Sequence, residues 1–154
     1  MEGMLVALAG AALAAALAGT GSAVGCGIAG EAGSGVVAED PEKFGRLLLL
    51  QALPGTQGIY GIVGMFLAIN KIMAMGAASM TVGEGWRVFF ACIPLAVTGL
   101  TSGISQGKVC AAACGLTAKR PEEMGKGMIF GVVVETYAVL GLLATILLLG
   151  RVQG

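Results

Sequence analysis

The chain has 154 residues, 56% of them hydrophobic and only 12% charged, about half the charged share of an ordinary soluble domain. Nine Lys and Arg balance nine Asp and Glu, so no basic surface exists to hold nucleic acid, and the lack of His removes the commonest acid-base catalyst and metal ligand. Four Cys scattered through apolar runs fit neither a disulfide framework nor a zinc site, which leaves a membrane protein.

The first predicted span, Met4 to Gly30, carries no charge and is built mainly of Ala, Gly, Leu and Val. It lacks the basic start of a signal peptide, and its apolar run is too long for one. Within it, Gly25-Cys26-Gly27-Ile28-Ala29-Gly30 spells a dinucleotide-binding fingerprint, but no strand precedes the run, so the match is not read as a nucleotide site. Glu31 follows, near the membrane boundary, where interfacial solvation or Lys108 accommodates it.

The turn Ala38-Glu39-Asp40-Pro41-Glu42-Lys43 leads to a second uncharged span, Leu47 to Asn70. Pro followed by an acidic residue is a helix-start signal. The stretch Met75–Glu84 leads to a third span, Val88 to Gln106. A second Pro turn, Ala118-Lys119-Arg120-Pro121-Glu122-Glu123, opens the fourth, Gly127 to Gly150, whose single charge is Glu135. Each span reaches the roughly 20 residues a helix needs to cross about 30 Å of hydrocarbon. Lipid offers backbone groups no partners, so the spans are helices. Lys43, Arg46, Lys119, Arg120 and Lys126 lie at the two Pro turns, with Lys108 toward the same side. The positive-inside rule therefore places both Pro turns in the cytoplasm and both termini outside.

Shifting the sequence by 80 residues aligns its halves without a gap: Gly19, Ser22, Gly27, Pro41, Glu42, Thr56 and Gly61 meet Gly99, Ser102, Gly107, Pro121, Glu122, Thr136 and Gly141. The fold expected is an all-α membrane protein of four transmembrane helices, a tandem duplication of a two-helix hairpin. Residues 1–74 form the first hairpin, 75–84 an extracytoplasmic connection and 85–154 the second. Both copies run in the same direction, unlike the inverted repeats of many transporters. Helices one and three carry small-residue stripes, Gly21, Gly25, Ala29 and Gly33 and then Gly99, Gly103 and Gly107, which let backbones approach closely. Such stripes suit either the inner layer of a ring or ordinary pairing within one bundle.

Glu135 lies mid-span, where an ionised side chain costs several kcal/mol and so marks function. No Lys or Arg of this chain lies at its depth, so its partner is a bound cation, a proton, or a charge on another protein. In the second span Leu53, Thr56, Gln57 and Tyr60 share one helical face, and Pro54 leaves the Leu50 carbonyl without its donor and distorts the turn. Gln106 adds an amide oxygen from the third helix. A carboxylate, a hydroxyl, amide oxygens and a carbonyl make a hard, singly charged site that suits a monovalent ion. A proton site needs only the carboxyl, and interhelical bonding without an ion is the structural alternative for Thr56 or Tyr60. The four Cys are read as small apolar packing residues.

Three runs resemble the V-type ATPase proteolipids: Leu53-Pro54-Gly55-Thr56-Gln57-Gly58-Ile59-Tyr60-Gly61, Ser102-Gly103-Ile104-Ser105-Gln106-Gly107-Lys108 and Val134-Glu135-Thr136-Tyr137-Ala138. The likeness covers nearly the whole chain and is greatest to the bacterial sodium-translocating type. It implies a homo-oligomeric rotor ring in a bacterial plasma membrane, surrounded by lipid. It also implies a stator subunit whose arginine faces Glu135, and central-stalk subunits at the cytoplasmic turns. Carried over to this sequence, the Na+ ligands are the Leu53 carbonyl, Thr56, Gln57, Gln106 and Glu135, with Tyr60 holding the carboxylate. Gly55 stands where the first hairpin would match Glu135, so one ion per chain is implied. ATP hydrolysis falls to other subunits, so the chain is no enzyme on its own. An H+-translocating rotor of the same family is the alternative, and a self-contained channel or transporter is a more distant one.

Overall fold

The computed structural model describes residues 1–153. Helix α1 (Glu2–Glu39) runs through a Pro41–Lys43 3-10 turn into α2 (Phe44–Ala52), a Leu53–Gly55 3-10 step and α3 (Thr56–Ala74). After a short connection, α4 (Val82–Lys119) runs through the Pro121–Glu123 turn into α5 (Met124–Arg151). Among the described residues, four segments are long and apolar enough to cross a membrane, with α2 and α3 forming the second of them. At 1.5 Å per residue, α1 and α4 are each about 57 Å long. They therefore project well beyond about 30 Å of hydrocarbon, further than the uncharged runs alone suggest.

The ends of these helices have local causes. Thr81 accepts from the Glu84 N–H at 3.3 Å while Glu84 accepts from the Thr81 N–H at 2.7 Å, a capping box that starts α4 at Val82. The connection is thus 75–81, shorter than the expected 75–84. Gly76, at φ +76°, turns the chain out of α3 in the left-handed conformation that glycine adopts without strain. At the opposite end, Lys43 pairs with Asp40 at 3.0 Å and donates to the Ala118 carbonyl at 2.9 Å. One ammonium thereby ties the first Pro turn to the last turn of α4, whose carbonyls lack helical donors. The hydrogen bond from Lys43 also holds the Asp40 carboxyl below the usual carboxylate range.

Helices α1 and α4 run side by side along their whole length in a contact made by glycine. A side chain at Gly21 would begin 2.5 Å from the Gly99 carbonyl oxygen, and one at Gly103 would begin 2.6 Å from the Gly21 carbonyl carbon. Gly25 and Gly107 are in similar contact with the facing backbone. Without a hydrophobic drive between helices in lipid, such close backbone approach supplies the association energy. Two apolar clusters flank the midpoint. One contains Ala7, Ala11, Ile72, Val88, Leu95 and Leu149, the other Ala29, Leu47, Leu50, Cys110, Ala113 and Cys114. Bulky residues on α3 and α5, among them Ile59, Phe66, Phe130, Leu140 and Leu147, are turned outward and exposed. Trp86, Phe89 and Phe90 cluster at the start of α4 with ring centroids 5.2 to 5.6 Å apart, at the level where aromatic side chains mark a membrane boundary.

All four Cys are free, with Cys92, Cys110 and Cys114 buried in packing positions and Cys26 half-buried. Glu31 and Lys108 are both exposed, and the ion pairs among the described residues are Lys43–Asp40 and Lys126–Glu123. Lys108 is therefore not the partner of Glu31, which is left to solvation.

Gly103→Leu is expected to wedge α1 from α4 and destabilise the protein by at least about 1–3 kcal/mol, the cost of overpacking. Gly125→Ala, where a side chain meets open space within α5, should not destabilise and should instead add about 0.4–1 kcal/mol by restricting the unfolded chain. Thermal unfolding of the two variants in mild detergent checks both outcomes.

Candidate functional site

Between the two apolar clusters lies a belt of polar side chains drawn from α3, α4 and α5 and from the step between α2 and α3. Its origin is Pro54. With no N–H to donate and a ring that crowds the preceding turn, it breaks the second span into two helices joined by the Leu53–Gly55 step. A new helix therefore begins at Thr56, in mid-span. Thr56 and Gln57 fall in its first turn, where the chain is least constrained by helical hydrogen bonds.

The six residues singled out in the sequence meet here in one unbroken chain of contacts. Thr56 Oγ1 donates to the Leu53 carbonyl at 3.1 Å and lies 3.4 Å from Gln57 Oε1. Gln57 Nε2 donates to Gln106 Oε1 at 2.5 Å, and Gln106 Nε2 lies 3.5 Å from Glu135 Oε2. The other carboxylate oxygen accepts from the Tyr60 hydroxyl at 2.6 Å. Gln57 and Gln106 are fully buried, whereas Leu53, Thr56, Tyr60 and Glu135 are half-buried. Two amides enclosed in an apolar bundle are tolerated only because each has found the other.

Chemically, the belt offers a hydroxyl, a backbone carbonyl, two amide oxygens and one carboxylate, all hard donors. A single negative charge balances one monovalent cation. Among the described residues, no group of three or more His, Cys, Asp and Glu comes together, as a site for a more highly charged metal would require. No Lys or Arg of the described residues pairs with Glu135.

One residue that sequence reasoning left aside also acts here. Ser22 of α1 accepts from the Gly58 N–H at 2.8 Å. Gly58 is the third residue of α3, and its amide belongs to the first turn, which has no helical acceptor. Ser22 thus caps α3 from a neighbouring helix, doing across the bundle what an N-cap side chain does locally. The repeat supplies the comparison. Ser102 is the counterpart of Ser22, but the counterpart of Gly58 is Ala138, inside the uninterrupted helix α5. Ser102 Oγ accordingly has no hydrogen-bond partner. The two hydroxyls differ because only one hairpin contains the proline.

The chain matches the ATP synthase C-subunit family twice, over residues 9–68 and 89–148, the second match beginning 80 residues after the first. It is 47% identical over 146 residues to the V-type sodium ATPase subunit K of Enterococcus hirae, covering 95% of this chain and 91% of that protein. To the A-type ATP synthase subunit K of Methanocaldococcus jannaschii it is 40% identical over 149 residues, 97% of this chain and 64% of that protein. A third relative, an ATP synthase subunit of Oleidesulfovibrio alaskensis, is 33% identical over 95 residues, 55% of this chain and 99% of its own.

Ser22→Ala is expected to leave the Gly58 amide without an acceptor, at a cost of about 0.5–2 kcal/mol, the worth of a helix cap. Amide hydrogen exchange should speed up at Gly58 in that variant. Ser102→Ala should leave exchange at Ala138 as it is.

Proposed function

The chain belongs to the ATP synthase C-subunit family, and we propose that it is the ion-carrying rotor subunit of a V-type rotary ATPase, with Na+ as its cargo. As a proteolipid it is an integral, multi-pass membrane protein that assembles as a ring, while ATP hydrolysis belongs to other subunits of the complex. The proposal orients it with both Pro turns in the cytoplasm, against the central stalk, and both termini outside. The observation that carries the ion reading is the unbroken run of oxygen-bearing groups from Leu53 through Thr56, Gln57 and Gln106 to Glu135.

In this mechanism Glu135 supplies the charge that a sodium ion neutralises. The Leu53 carbonyl, Thr56, Gln57 and Gln106 replace water ligands lost on entering the membrane. Tyr60 holds the carboxylate in place through its hydroxyl. The amide groups of Gln57 and Gln106 can present either their nitrogen or their oxygen to the centre by rotation about one bond, so they serve both as donors to each other and as ion ligands. Once neutralised, the site can face lipid without the penalty of an exposed charge, which allows the ring to turn. A stator arginine opposite Glu135 would then displace the ion, because its fixed charge competes for the same carboxylate.

A proton-carrying rotor would need Glu135 and Tyr60 alone. What favours sodium is the enclosed pair of amides, since burying Gln57 and Gln106 has no use for a proton. A self-contained pore is disfavoured because its polar residues would line the whole path, whereas here they form one belt.

A hydrophobic carbodiimide, which attacks protonated carboxyls, is expected to label Glu135 and to be slowed by sodium. Gln106→Ala should weaken that protection by about 5- to 150-fold, the equivalent of roughly 1–3 kcal/mol for a lost contact to a charge. Labelling in the absence of sodium should persist in the same variant. Labelling of the unaltered protein that ignores sodium at neutral pH would replace the sodium reading with the proton one.

A further inference from the structure

We infer that an ion pair at the cytoplasmic rim joins neighbouring copies of the chain, from Arg120 on the second Pro turn of one copy to Glu39 at the end of α1 in the next. This rests on the rotor-ring reading above and goes beyond it by naming charges outside the membrane that add to the contact between copies.

The two Pro turns correspond residue by residue at a spacing of 80, yet three of their five charged positions differ in sign. Glu39, Asp40 and Lys43 of the first turn match Lys119, Arg120 and Glu123 of the second. Glu42 and Arg46 keep their sign in Glu122 and Lys126. The consequence of this inversion follows from how the first turn is held.

Within one chain the first turn leans on the end of α4. Lys43 pairs with Asp40 at 3.0 Å and donates to the Ala118 carbonyl at 2.9 Å. In a head-to-tail ring of duplicated hairpins, the second turn of each copy meets the end of α1 in the next by the same geometry. Glu123 stands there in place of Lys43, and Ala38 in place of Ala118. A carboxylate and a carbonyl are both acceptors, so the internal tie cannot be repeated at the boundary. Glu123 pairs instead with Lys126, in the first turn of α5.

The end of α1 nonetheless calls for a cation. Its last turn carries Glu39 and no basic residue, whereas α4 ends in Lys119. An acid at a helix C-terminus lies against the negative end of the helix dipole. Asp40 is met by Lys43, but Glu39 is exposed and joins no ion pair among the described residues. Lys119 and Arg120 are exposed and equally unpaired there. Arg120 holds the place of Asp40, which a single ammonium separates from the Ala118 carbonyl. Across the boundary that position lies beside Ala38 and Glu39 of the next copy. A guanidinium there can serve both the helix-end carbonyl and the carboxylate, with several donors in one plane. Within a chain the turn carries the acid and the helix end the base. Between chains the two are exchanged, and the charges remain complementary.

The test is coupling of the purified oligomer with a water-soluble carbodiimide, which joins a carboxyl to an amine only where the two touch. Arg120→Lys treated in this way should give a ladder of covalent multimers after denaturation, with the link mapped between positions 39 and 120. Adding Glu39→Gln should remove that link. Arg120→Glu should weaken association of neighbouring copies by about 1.4- to 5-fold, the worth of an exposed ion pair. The readout is the ratio of oligomer to single chains in denaturing detergent. Exchanging the charges, with Glu39→Arg added to Arg120→Glu, should restore the association. An Arg120→Lys oligomer that gives no link between positions 39 and 120 overturns the pair. So does an Arg120→Glu oligomer of undiminished strength that sheds the soluble ATPase subunits, because the charge then belongs to the stalk. A single-chain mass for the unaltered protein overturns the ring reading itself.

Discussion

A carboxylate cannot stand ionised against hydrocarbon without something to neutralise it, and Glu135 sits in the middle of an otherwise apolar helix. The rest of the architecture answers that constraint. Oxygen donors must come from other helices, so α3 and α4 must lie against α5 at one depth. A backbone donor such as the Leu53 carbonyl must also be able to leave regular helical geometry, which an undistorted helix does not allow. Pro54 supplies that freedom by ending α2 in mid-membrane, which brings a helix start, with its unsatisfied groups, to the level of the carboxylate.

Breaking a transmembrane helix leaves polar groups that lipid cannot satisfy, and the bundle meets this need locally. Ser22 takes the Gly58 amide, Thr56 takes the Leu53 carbonyl, and the two glutamines take each other. This network requires α1 and α4 to pack at backbone contact, so that Ser22 and Gln106 both reach inward. Glycine at 21, 25, 103 and 107 makes that approach possible. The small faces of the inner helices and the chemistry of the belt are thus parts of one arrangement. A larger residue on the stripe would loosen the site as well as the fold.

Much of this was legible in the residues. Charge-free runs marked the four spans, the 80-residue spacing marked the hairpins, and the i, i+3, i+4, i+7 set at Leu53, Thr56, Gln57 and Tyr60 marked a polar face. The structure brings that face together with Gln106 and Glu135. Other features were not visible because they depend on which helix neighbours which. Ser22 reads as an ordinary small residue until α1 is set beside the start of α3. Helix length was underestimated because α1 and α4 continue past the hydrocarbon through residues that hydropathy alone treats as connections. The start of α4 was legible in principle, since Thr81 and Glu84 have the spacing of a capping box, but the Gly and Ser around them read as loop. For Glu31 the sequence leaves solvation and Lys108 both open, and the structure decides for solvation, since sharing a membrane level with Lys108 does not give two exposed side chains a shared contact.

Everything proposed for the belt comes down to one enclosed, singly charged oxygen site that binds one sodium ion per chain, although the chain contains two copies of the hairpin. Equilibrium binding of radioactive sodium to the purified oligomer at alkaline pH, where protons do not compete for Glu135, tests this directly. Saturation at one ion per chain, and loss of that binding in Glu135→Gln, is the predicted result. No saturable binding, or binding that persists in Glu135→Gln, would contradict it.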